Sequence, residues 1–125
     1  MGVVNLNVEE NIRFDAGQLT QLYRSLGEVG AENLLCDAME ELAIQLVRAE
    51  KLGKRGRLSD VAEIADNLVP IASRVGLEGL STVLEDLAKC ARDYDVAAFN
   101  AVLARMQRMG DRSLSAIWDP QGMTV

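Results

Sequence analysis

Glycine divides this chain. Gly27 and Gly30, Gly53 and Gly56, and Gly76 and Gly79 fall in pairs, and a lone Gly110 follows the last long apolar pattern. A glycine just past a helix accepts a left-handed backbone at little cost, so such marks read as helix stops. Between them, apolar residues recur in steps of three and four, as in Leu35, Ala38, Met39, Leu42, Leu46 and Ala49. That is the spacing of one face of a helix, and no alternating strand pattern competes with it.

Composition narrows the fold further. At 125 residues the chain suits one domain with one core, and at 4% aromatics that core must be aliphatic. Leucine and alanine dominate the apolar set, and both favour helices over strands.

The first helix is expected to start at Asp15, with Gln18 three residues on as in a capping box, and to carry Leu19, Leu22, Tyr23 and Leu26. A longer helix covers about 31–52, a third 59–75 and a fourth 77–94. The fourth buries Leu80, Val83, Leu84, Leu87, Ala91 and Cys90. Asp95 caps a fifth helix that presents Phe99, Val102, Leu103 and Met106. Short connections make consecutive helices antiparallel. The expected fold is all-α: an antiparallel up-down-up-down four-helix bundle with a short leading helix. It occupies residues 15–110, after an N-terminal extension at 1–14. A tail at 111–125 packs on the bundle through Trp118 before Pro120 and Gly122 end any helix.

Advancing about 100° per residue along the third helix puts Val61, Ile64, Ala65, Leu68, Ile71, Ala72 and Val75 on one side. Asp66 lies opposite the centre of that stripe and should face solvent. Ser59, Ala62, Glu63, Val69, Pro70 and Ser73 share its outer face. Pro70 lacks the N–H that would bond the Asp66 carbonyl, and its ring crowds that carbonyl, which predicts a kink or break over residues 66–70. Two readings of this face stay open. Water can satisfy the freed carbonyl beside a solvent-facing proline. Alternatively, Ala62, Val69 and Pro70 form a small apolar docking patch rimmed by Glu63, Asp66 and Ser73.

The order of elements resembles the histidine phosphotransfer (HPt) domain: a short first helix, a long second, an acceptor helix, and two closing helices. Leu68, Ala72 and Gly76 stand at that family's structural positions around the acceptor, followed by Leu80, Leu84 and Leu87, and Asp95 falls where a Gly-Asp turn is common. The departures are at the functional positions. Asp66 takes the place of the acceptor histidine, Val69 of a lysine and Pro70 of a glycine, and the chain contains no histidine. Phosphorelay through such a domain needs an imidazole nitrogen to attack an aspartyl phosphate, with positive charge nearby for the phosphoryl oxygens. The resemblance therefore implies a protein that docks receiver domains, or a histidine kinase, as a regulator or adaptor without taking phosphate. The alternative is a structural or homo-oligomerisation bundle with no phosphorelay role. Its homodimer seam would lie at Ala62, Val69 and Pro70 or around Trp118.

Other chemistry is poorly provided for. A hydrolase triad lacks its base, and a di-iron bundle its Glu-x-x-His motifs. Zinc would have two cysteines on different helices, so no metal, cofactor or enzymatic activity is expected. A net charge of −6 disfavours nucleic acid, and the cluster of Arg48, Lys51, Lys54, Arg55 and Arg57 reads as a solvated helix end. No apolar run approaches the length of a membrane span. Cys36 and Cys90 are expected to be reduced, buried thiols of a cytoplasmic protein.

Overall fold

The computed structural model describes residues 15–118, with side chains as far as Leu114. Four helices follow one another: α1 (Ala16–Lys54), α2 (Leu58–Arg74), α3 (Glu78–Arg92) and α4 (Val96–Trp118). No strand occurs among the described residues, and the fold is an all-α four-helix bundle. Each helix packs on its neighbours in sequence, α2 against α3 most extensively, and α1 against α4 closes the ring.

The leading helix is present, joined to the long one. α1 leaves helical geometry at Gly27 (φ 75°, ψ 172°), so residues 16–26 form a separate arm ahead of residues 28–54. Asp15 caps that arm, its Oδ1 accepting the Gln18 N–H at 3.2 Å. The Asp15 N–H also donates to the Gly76 carbonyl at 2.7 Å, tying the start of the arm to the turn between α2 and α3.

All three interhelical turns use one device. The N–H of Arg57, Leu77 and Asp95 reaches back to the carbonyl of Leu52, Ala72 and Cys90, while the preceding N–H bonds Gly53, Ser73 and Ala91. This is the Schellman arrangement, which needs a left-handed residue just past the helix. Gly56 and Gly76 supply it in the first two turns (φ 75° and 83°). In the third, Tyr94 does so (φ 54°). Asp95 then caps α4, accepting the Ala98 N–H at 3.2 Å.

The core follows the apolar stripes. Its largest fully buried side chains include Phe99, Met39, Leu42, Leu68, Leu77, Leu80, Leu84, Leu87 and Met106. Leu26, expected inside, is 48% exposed, and none of residues 16–26 is fully buried.

Two glycines expected to stop helices are spacers instead. Gly53 is buried near the end of α1, where an added Cβ would lie 2.7 Å from Leu103 Cδ2 of α4. Gly110 is buried within α4, and a Cβ there would lie 3.0 Å from Leu46 Cδ1. The absence of side chains at both points lets α1 and α4 approach closely. α4 consequently does not end at residue 110. Met109 and Ser113 continue its buried face beyond Met106, and the helix reaches Trp118. The expected tail is thus helical over residues 111–118. The packing assigned to Trp118, the stop at Pro120 and Gly122, and the extension at 1–14 lie outside what is described.

Candidate functional site

Asp66 stands exposed near the middle of α2, opposite the buried Val61, Ala65, Leu68 and Ala72. Its carboxylate is not free. Arg92, in the last turn of α3, places its guanidinium Nη2 on Asp66 Oδ2, with both side chains about half exposed (54% and 48%). Exposed ion pairs contribute roughly 0–1 kcal/mol, so this one sets the local charge pattern more than it holds the helices together.

The pair borders an open groove between α2 and α3. Ser59, Ala62, Glu63 and Asp66 line it from α2, and Ala91, Arg92 and Tyr94 from the end of α3 and its turn. Ala62 and Ala91 are buried and form its floor. Ser59, Glu63 and Asp66 stand exposed on one side, with Arg92 and the 68% exposed Tyr94 on the other.

This geometry corrects the outer face drawn from periodicity. Ala62 does not contribute to an exposed patch, since α3 covers it to 6% exposure. A helical projection locates the side opposite the stripe but not how far a neighbouring helix wraps round it. Val69 is half-buried against the core, Pro70 is exposed, and Ser73 is half-buried with its hydroxyl donating to Glu78 Oε1 at 3.4 Å. These three lie along α2 beyond the groove.

Nor does Pro70 break the helix: α2 runs unbroken from Leu58 to Arg74. The Asp66 carbonyl it deprives belongs to an exposed residue, where water can supply the missing donor. Beside it, the Val69 carbonyl accepts the Ser81 hydroxyl from α3 at 3.5 Å.

Periodicity alone did not reveal Arg92 or Tyr94. A cation in the last turn of the following helix is the relevant signal for the first, but the pairing needs the α2–α3 crossing to bring it within reach. Tyr94 carries a plainer signal: it occupies the turn position where the two preceding turns have glycine. A left-handed backbone costs a side-chain-bearing residue roughly 1–2 kcal/mol. Tyr94→Gly is therefore expected to stabilise the fold by about 1 kcal/mol in urea denaturation, since the exposed ring gives up little packing.

The thiols also differ from expectation. Cys36 is exposed and Cys90 half-buried, and burial, followed by the negative charges of Asp95, Asp86 and Asp93, raises the Cys90 thiol above its ordinary range. Among the described residues, no group of three or more potential side-chain ligands could hold a metal ion, and no helix is long and apolar enough to cross a membrane. Comparison with family models, curated proteins and solved structures finds no match to the chain.

Proposed function

We propose that this chain is a histidine-free relative of HPt domains that docks receiver domains of two-component systems without accepting phosphate. It would serve in the cytoplasm as a regulator or adaptor, with no catalytic step of its own. The observation that carries this reading is the groove at Asp66. The residue in the acceptor register projects from α2 into a surface shared with α3, and an arginine meets it there. An adaptor needs shape and charge at this position but no nucleophile. Arg92 offsets the Asp66 carboxylate, so of the groove's two acids a receiver's acidic site would meet only Glu63 uncompensated.

Tyr94 supports the same reading. Its ring sits exposed on the groove's rim despite the cost of its backbone conformation, and tyrosine is among the side chains enriched in the cores of protein interfaces. Docking gives that cost a purpose.

The test is an NMR titration of isotope-labelled protein with purified receiver domains, both resting and activated. The expected shifts cluster at Ser59–Asp66 and Ala91–Tyr94. They should weaken on Arg92→Glu, and also on Tyr94→Gly even though that variant is expected to be the more stable protein. Silence with every receiver in both forms would refute docking and leave a structural or self-associating bundle. That alternative has its own observation, on α1.

A further inference from the structure

The outward side of α1 carries a pattern the bundle does not use. Ile44 and Val47 are 63% and 51% exposed. With Asp37, Glu40, Lys51 and Lys54 they form a run separated by three, four, three, four and three residues, all exposed. That is the spacing of a coiled-coil seam. The six side chains fall within a sector of about 100°, opposite the buried Met39, Leu42, Leu46 and Ala49 that face the core.

The order of chemistry along this seam is acid, acid, apolar, apolar, base, base. Such a sequence is complementary to its own reverse. Lay a second α1 antiparallel across the first, and Ile44 of each meets Val47 of the other. Glu40 then faces Lys51, and Asp37 faces Lys54. A parallel pairing would set each charge against its like. A twofold interface requires one patch that complements itself, and this one does so in charge and in apolar content alike.

We infer that α1 is a homodimerisation helix, pairing with a second copy of this chain in an antiparallel seam centred on Ile44 and Val47. The seam leaves the Asp66 groove on α2 and α3 open, and it does not depend on what that groove binds. Two apolar residues per chain make a small core, so the charges decide both orientation and strength, and the dimer weakens as salt screens them. Lys54 already pairs with Glu50 at 2.9 Å in the monomer. Such an exposed contact is weak enough to be shared with or exchanged for the partner's Asp37.

The test uses charge exchange read by sedimentation equilibrium in low salt, with circular dichroism confirming that each exposed-site variant is folded. The native chain should dimerise. Glu40→Lys alone places lysine against lysine at both symmetry-related sites, and Lys51→Glu alone places glutamate against glutamate. Each should dimerise at least about tenfold more weakly than the native chain. Mixing the two variants restores opposite charges at both sites, so the mixture should dimerise where neither component does. The double variant should dimerise by itself. A monomer at every concentration, a dimer indifferent to these charges, or single variants that weaken the dimer without rescue in the mixture would each overturn the inference.

Discussion

Phe99→Ala should destabilise the bundle by about 4 kcal/mol, within the range for removing a buried phenylalanine. Phe99 is among the largest fully buried side chains, in the first turn of α4, and its ring packs where Gly53 of α1 offers only backbone. A Cβ on Gly53 would come within 3.3 Å of Phe99 Cζ, so the ring occupies space that other helices would fill with two side chains. Removing it leaves a void beside the bare glycine, with Leu103, which also packs on Gly53, as the one neighbour at that point able to lean in and fill part of it. Urea denaturation measures the loss directly. A change below about 1 kcal/mol would mean that α4 shifts to close the gap, and the Gly53 contact would then not set the spacing of α1 and α4.

The second large effect is expected at Gly76. Its φ of 83° already disfavours any side chain, and an added Cβ would sit 2.6 Å from the Asp15 backbone oxygen. A flexible side chain could turn aside, but backbone cannot. Gly76→Ala must therefore strain the turn and push Asp15 away, breaking the 2.7 Å bond from the Asp15 N–H to the residue 76 carbonyl. The combined cost should be about 3 kcal/mol. Gly56→Ala is the internal control. Its φ is 75°, but nothing lies within 4 Å of its Cβ, so it should show only the backbone penalty of roughly 1–2 kcal/mol. The difference between the two variants measures the clasp. Hydrogen exchange should locate it, with Ala16–Leu26 losing protection in Gly76→Ala and not in Gly56→Ala. Equal losses in the two variants would show that the clasp contributes nothing.

These cases mark how far the sequence could be read. The stripes on α2 and α3 were legible because a strong three-four period leaves one way to bury Leu68, Leu80, Leu84 and Leu87 together. The caps at Asp15 and Asp95 were legible because their partners are three residues away. Glycine was ambiguous. The same residue supplies a left-handed turn at Gly56 and Gly76 and a close helix contact at Gly53 and Gly110, and only the neighbouring helix distinguishes the two uses.

At the candidate site, Asp66 could be placed on the outer face, but its surroundings could not. Whether Ala62 is covered, and whether Arg92 arrives, depends on how α3 crosses α2, which no local spacing encodes. Ile44 and Val47 failed to register for a different reason. They fall off the core stripe of α1, and two isolated aliphatic residues on a polar face attract no attention until their acidic and basic flanks are seen to lie in line with them.

The seam on α1 also has an electrical consequence. Acid gathers in the helix's middle and base at its C-terminal end, so the side chains form a dipole opposed to that of the peptide groups. A single copy carries this moment along α1, and a field will turn it. In an antiparallel pair the twofold axis cancels both contributions along the helices. Self-association would then be visible as a fall in dielectric increment per chain, a signal independent of mass.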